Sequence, residues 1–184
     1  MNNKISQEQL YLLVNLSQAP LWLVGADLTG ASLKAANLQK ANLEEIIWPS
    51  ANLERANLAE ANLRGTFLIK ATLTSANLEK AILFGANLEA ASLELANLSK
   101  ADLRQINLKG AYLKRANLAQ AKLEKANLVE AILNEADLSE VHLHKANLSK
   151  ASLRNAILQD AKYDQETVWP SGFDPEATGA RLVE

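Results

Sequence analysis

The sequence predicts an all-β solenoid, a chain wound into a continuous coil around a core of leucine and alanine. Three observations carry that prediction. Leu (34) and Ala (31) together supply about a third of the 184 residues, far from ordinary globular usage. From Ala26 through Gln165 the chain repeats every five residues, ADLTG, ASLKA, ANLQK, ANLEE and onward for 28 units, without one insertion or deletion. The third residue of the unit is Leu in 26 of 28 cases and the first is Ala in 24 of 28, so the same two positions ask for burial every time.

A period of five excludes the straight elements. An α-helix advances about 100° per residue, so successive leucines would spread around the whole cylinder. A straight strand alternates faces, and an odd period would send every second leucine to water. All leucines stay on one side only if the chain turns at each unit, making a short edge and a corner. Leu28, Leu38, Leu58, Leu78, Leu98, Leu118, Leu138 and Leu158 then fill the interior, with Trp48 and Tyr163 in the two third positions that are not Leu. Ala is small enough to sit inward near the corner, and Asn, Asp or Ser in the second position can hydrogen-bond nearby backbone as these residues do in turns. Gly30, Gly65, Gly85 and Gly110 all fall in the fifth position, where a turn tolerates them best.

Uninterrupted A-[N/D]-L-x-x units resemble the pentapeptide-repeat family. The resemblance covers residues 26–165, and it implies a right-handed quadrilateral β-helix with four units, or 20 residues, per coil and the first and third residues of each unit inside. Periodicity alone demands turning; it fixes neither four sides nor the hand. On the family's geometry the 28 units make about seven coils, a rod of about 34 Å at strand spacing.

Both flanks read as caps, because an open coil end exposes unpaired backbone and a leucine ring. Residues 1–25 form the N-terminal cap. Ser6 and Gln9 resemble a capping box, and Leu10, Leu13, Val14 and Leu16 give a short apolar stripe on a helix over about 6–18 that ends before Pro20. Leu21–Gly25 fits the five-residue frame as a degenerate opening unit. Residues 166–184 form an irregular C-terminal cap, where Pro170 and Pro175 oppose regular pairing and Trp169 and Phe173 are expected to cover the last leucine ring. The Thr167–Pro175 segment is similar to C-terminal sequences of cyanobacterial members of the family.

Chemistry is sparse. Zero Cys excludes disulfides, thiolate metal sites and a thiol nucleophile, and a net charge of −2 indicates neither a basic nucleic-acid footprint nor an acidic tail. No apolar run reaches the length of a membrane span, and the N-terminal residues make a poor signal peptide, so a cytoplasmic location is expected. No Ser-His-Asp arrangement, phosphate-binding glycine loop or metalloprotease motif is present. His142 and His144 flank Leu143 and face outward. On a 20-residue coil they could join Glu124 and Asp164 around a divalent metal, but lysines at 122 and 162 flank them, and an exposed charge-laddered surface is the better reading. No cofactor, metal or enzymatic activity is expected.

The outward positions are more informative where they break the polar rule. Ile47, Pro49, Phe67 and Ile69 fall on one face over the second and third coils, with Ile82 and Phe84 near the adjoining corner. This set is a candidate partner or homodimer surface; it could also lie beneath the N-terminal helix, or reflect tolerance of apolar residues on a sheet face. Tyr112 with Ile132 makes a smaller second set. The expected function is a non-enzymatic structural or protein-interaction module, a rigid rod presenting laddered faces to an unknown protein partner, itself a monomer or weak homodimer. The family supplies a rival, since some members mimic DNA and bind DNA gyrase. Charge opposes it: residues 26–165 hold 17 Lys and Arg against 16 Asp and Glu, and the four sides of the family's coil carry net charges of 0, +2, −2 and +1. Duplex DNA carries one negative charge per about 1.7 Å of axis. A hydrolytic metal site at the histidine pair is the remaining alternative.

Overall fold

A computed structural model describes residues 7–16 and 20–183. From Trp22 to His142, every fifth residue forms a parallel bridge with the residue 20 positions on, Trp22 with Asn42, Asp27 with Ile47, and so to His142 with Lys162. Twenty residues divided into five-residue edges give four sides per turn. The first side starts with Ala26, the second with Ala31, the third with Ala36 and the fourth with Leu21 and Ala41. The degenerate unit Leu21–Gly25 is thus a full rung of the fourth side.

One unit accounts for all its backbone donors. The Leu98 N–H donates forward to the Asn117 carbonyl (2.7 Å) and the Lys100 N–H to the Ala119 carbonyl (2.9 Å), both on the next coil. The Asn97 N–H donates back to the Ala76 carbonyl (2.9 Å), and the Ala101 N–H closes the corner on the Leu98 carbonyl (3.1 Å). The remaining donor, Ser99 N–H, goes to the side-chain oxygen of Asn97 (3.1 Å). This last bond explains Asn in the second position, since a carboxamide or carboxylate there satisfies the one N–H that the ladder misses. The same asparagines stack: Asn57, Asn77 and Asn97 each donate Nδ2 to the asparagine oxygen one coil earlier, at 3.1–3.2 Å.

The corner is sharper than the four glycines suggest. Twenty-three non-glycine residues, Ala35 to Asp160, hold φ between 55° and 61° in the fifth position. A type II turn requires positive φ there, and non-glycine residues adopt it at a cost of about 1 kcal/mol or more. No Val, Ile, Thr or aromatic residue occupies a fifth position from 30 to 165, the residues for which that conformation is worst.

Third positions are buried along the whole solenoid, among them Leu28, Leu38, Leu58, Leu78, Leu98, Leu118, Leu138 and Leu158, and first positions are buried except for the half-buried Ala26, Ala36 and Ala156 near the ends. The larger Trp48 is accommodated because its indole N–H donates to the Ala31 carbonyl (3.2 Å), an oxygen of the class that elsewhere accepts a second-position N–H. The buried Thr66 hydroxyl donates to the Leu63 carbonyl (2.9 Å), so its polarity is satisfied.

Helix α1 (Gln7–Leu16) covers the N-terminal end. Leu10 is fully buried and Val14 packs on the core. Leu13, expected on the covering face, is instead 42% exposed. Residues 10 and 14 share one helical face, and that narrow pair, rather than a wider stripe, makes the seat. Gln7 completes it: its side-chain amide donates to the Ser32 carbonyl (2.8 Å) and accepts the Ser32 N–H (2.9 Å), standing in for the missing earlier rung. Ser6 and the side chain of Leu16 lie outside the described residues.

The C-terminal segment keeps pairing where its prolines led us to expect none. Asn147 bridges Val168, 21 residues on, and β1 (Lys162–Tyr163) pairs in parallel with β2 (Arg181–Leu182). Asp164 absorbs the extra residue. Its Oδ1 accepts the Lys145 N–H (3.0 Å), where the coil before uses the His144 carbonyl for Lys125 (2.9 Å), and the Thr167 hydroxyl donates to the Leu143 carbonyl (2.9 Å). Pro170 and Pro175 sit between the paired stretches. Tyr163, Trp169 and Phe173 form an aromatic stack against the last coil, edge-to-face at 5.4 Å and stacked at 5.3 Å.

Two stability outcomes follow from this geometry. Leu98→Ala should cost about 2–5 kcal/mol in denaturant titration, while the outward Glu94→Ala stays within about 0.5 kcal/mol. At the corner, Leu95→Val should destabilise by about 1–2 kcal/mol and Leu95→Asn should not, because Asn tolerates positive φ.

Candidate interaction face

The apolar set divides between two sides. Ile47 and Phe67 occupy adjacent second positions on the first side, bridged rung to rung, and are 48% and 50% exposed. Pro49 and Ile69 stand beside them in the fourth position, each half-buried. Among the described residues helix α1 leaves Ile47 and Phe67 exposed, and its Gln7 contact is on the second side. Pro49 fits because proline at that turn position needs no N–H acceptor, and Ile47 offers none.

Ile82 and Phe84 belong to the fourth side and face another direction, which corrects their grouping with the other four. Ile82 is exposed but lies between Asn62 and Asp102 in its column. Phe84 is roofed by charge. The Arg64 guanidinium carbon is 4.5 Å from its ring centroid and that of Arg104 is 5.6 Å away, so the ring is a cation–π spacer in a ladder rather than an open apolar surface. On the second side Tyr112 is exposed and Ile132 half-buried, bridged one rung apart.

Apolar residues on the first side cost the fold hydrogen bonds. Ile47 and Phe67 cannot accept the fourth-position N–H, so Ile69 lacks the side-chain bond that Glu89 makes to Asn87 (3.1 Å). The asparagine ladder also stops there. Asn127 donates to Asn107 (3.0 Å) and Asn107 to Asn87 (3.1 Å), but the next residue in the column is Phe67, and the Asn87 Nδ2 has no partner among the described residues.

At the histidine pair, Glu124 reaches His142 Nδ1 (3.6 Å), not the His144 of its own column, and the two rings meet edge-on at 6.0 Å. Asp164 is engaged in the C-terminal turn. No group of three or more potential metal ligands is found among the described residues. The charged ladders are largely internally paired: Lys34 with Glu54 (2.8 Å), Arg115 with Glu135 (2.9 Å) and Lys150 with Glu130 (3.3 Å), each pair one coil apart. Among the described residues no helix is long and apolar enough to cross a membrane.

A parallel solenoid with five-residue edges, a leucine and alanine interior and asparagine-capped corners defines a repeat protein. Eight copies of the family pattern described as pentapeptide repeats match residues 14–47, 51–89, 91–128 and 121–160, and the chain belongs to that family. Pentapeptide-repeat proteins fold as right-handed quadrilateral β-helices and are generally structural or interaction modules. The chain is similar to HetL, a pentapeptide-repeat protein involved in heterocyst differentiation regulation from the cyanobacterium Nostoc sp. strain PCC 7120. The two share 27% identity over 89% of this chain and 86% of HetL, with a TM-score of 0.65. Two trypsin-treated forms of QnrB1, a plasmid-mediated fluoroquinolone resistance protein, share the fold. One has a TM-score of 0.80 at 15% identity over 98% of this chain and 87% of QnrB1; the other has 0.74 at 17% identity, covering 89% and 90%. No curated protein matches the chain.

Two carboxylates give a pH expectation. The Arg104 guanidinium, doubly hydrogen-bonded to Asp102 at 2.6–2.7 Å, holds that carboxyl below its usual range against the opposing effect of burial. Burial pushes Asp164 up, but the Lys145 N–H, the Thr167 hydroxyl, the Glu166 N–H and nearby His144 outweigh it and hold it low. For a depressed carboxyl, the stabilisation is present above the unfolded-state pKa, about 3.9, and is lost as pH falls through the lower folded value. The thermal midpoint should therefore fall below about pH 4, and the fall should be shallower in Asp102→Asn and Asp164→Asn.

Proposed function

We propose that this protein is a non-enzymatic interaction module: a rod of about seven coils over residues 26–165, opened by the rung at 21–25 and capped by helix α1 and by residues 166–184, that docks a protein partner on the first side through Ile47, Pro49, Phe67 and Ile69. One observation carries the reading. The fold prefers a polar second position, which supplies a turn bond and a ladder bond, yet Ile47 and Phe67 forgo both and stand half exposed. Residues that weaken their own scaffold at one surface place serve contact there. The shape agrees, since a flat ladder of rungs at fixed spacing offers a rigid template and loses little entropy on binding.

Phe67→Asn separates fold from function. It gives the Ile69 N–H and the Asn87 amide an acceptor each, and should raise stability by about 1 kcal/mol in chemical denaturation. It should also abolish capture of any partner that wild type retains from a lysate, as should Phe67→Glu, while Lys100→Glu on the third side keeps it. A destabilised Phe67→Asn, or undiminished capture, would count against the docking face.

Gyrase binding by DNA mimicry finds little support in the surface. A mimic needs an unbroken anionic stripe, whereas here Glu54, Glu130 and Glu135 are each neutralised by a cation one coil away. Purified protein at micromolar concentration should leave gyrase supercoiling unchanged and confer no quinolone protection.

A further inference from the structure

We propose that the partner of the first side is a second copy of this chain, laid antiparallel with its own first side face to face and a two-fold axis passing between the rungs of Ile47 and Phe67. The proposal rests on reading that side as a docking surface and names its occupant. It stands on how the face matches itself when the order of rungs is reversed.

Reversal about that axis sets Ile47 opposite Phe67 of the second copy and Pro49 opposite Ile69, so the apolar centre covers itself. One rung further out, Asp27 meets Asn87 and Thr29 meets Glu89. The first of these sets a carboxylate against an amide donor; in the second the Thr29 hydroxyl already donates to Asp27 Oδ1 (2.6 Å), so that pair is neutral-against-charged rather than complementary. Asn87 carries the amide that the interrupted ladder leaves without a partner, since its oxygen is taken by Asn107 and Glu89 while Phe67 fills the place below it. The corners match as well: Glu45 faces Gly65, and Lys70 faces Ser50. No like charges oppose one another in the four-rung overlap.

The corners also permit approach. All five glycines that lie in the repeat frame, Gly25, Gly30, Gly65, Gly85 and Gly110, stand on the two corners bordering the first side. Between residues 26 and 165, the fifth positions of the second and third sides hold no glycine and carry Arg55, Leu95, Lys80 and Lys100 among others. Four of the eight corner positions of the overlap are glycine, and Glu45 and Lys70 each face a glycine or a serine of the second copy, so the two flat faces can come to sheet-packing distance, about 10 Å. A second copy supplies the matching rung spacing without adjustment. Four rungs of about 19 Å by a five-residue edge of about 16 Å make a face of about 300 Å², well short of the roughly 800 Å² per partner of a stable complex, so the pairing is weak and evident at high concentration.

Sedimentation velocity from about 10 µM to 1 mM tests this on the full chain at low salt. The expected result is a sedimentation coefficient that rises with concentration in wild type and stays monomeric in both Phe67→Glu and the more stable Phe67→Asn. Thr29→Lys, which brings a cation opposite Glu89, should tighten association roughly threefold to tenfold, and adding Glu89→Gln should cancel the gain. A gain that survives Glu89→Gln overturns the antiparallel register, because a parallel pairing would set residue 29 against Asp27. Association that persists in Phe67→Asn overturns the choice of face. Wild type that stays monomeric at 1 mM overturns self-pairing altogether. If Phe67→Asn then still loses a captured partner, the docking face stands without the second copy; if capture is unchanged, both readings fall.

Discussion

A backbone that turns a corner every five residues needs one residue per unit held at positive φ, and the rest of this structure depends on that constraint. The corner is what lets an odd period keep every third-position leucine inside. Most of these positions are not glycine, so the chain accepts a conformational cost of about 1 kcal/mol at each of many corners. What offsets it is collective. Each corner places an alanine and a leucine in a dry interior and sets the next rung for pairing, so no single corner has to be favourable by itself. Polar and charged side chains dominate the fifth position because they lie outside and bring no β-branch into the left-handed region.

The same corner decides what the surface can be. It leaves one N–H per unit outside the ladder, and the second-position asparagine takes it, as Ser99 to Asn97 shows. Once that asparagine is in place its amide can reach only along the column, which produces the runs from Asn97 back to Asn37 and from Asn127 back to Asn87. Ion pairs follow the same one-coil step. Exposed pairs of this kind contribute little individually, about 0–1 kcal/mol, and their effect is to leave each side nearly neutral. The rod therefore has no strong long-range field, and the proposed docking relies on shape and apolar area instead.

Much of this was legible in the sequence because the period repeats without interruption. Leu and Ala mark the inward positions directly, and the asparagines mark the turns. The left-handed corner was only half legible: glycines at 30, 65, 85 and 110 pointed to it, but the stronger signal was the absence of Val, Ile, Thr and aromatics from every fifth position. The ends were less readable because they have no period. Nothing in Gln7 announces that its amide imitates a strand for Ser32, and prolines at 170 and 175 masked the pairing of Arg181 and Leu182 with the last coil. Phe84 misled for a related reason. Its apolarity was plain, but the two arginines that cover it sit 20 residues away on either side, visible only once the coil length is known.

The apolar first side gains its meaning from this regularity. In an irregular protein an exposed Phe and Ile need no explanation. Here every second position is a repeated choice between a residue that closes the turn and one that does not, so each departure can be weighed against its neighbours. Departures at 22, 82, 112, 122, 132, 142, 157 and 162 stand on other sides, among polar or charged rungs or beside one another in pairs. Ile47 and Phe67, adjacent as Tyr112 and Ile132 are, differ in being joined by apolar Pro49 and Ile69 and in lying on the side whose two corners hold all five glycines of the repeat frame. A substitution tolerated by chance would not bring those features to the same four rungs. That coincidence of lost hydrogen bonds and apolar area, rather than exposure alone, is what supports the proposed docking face.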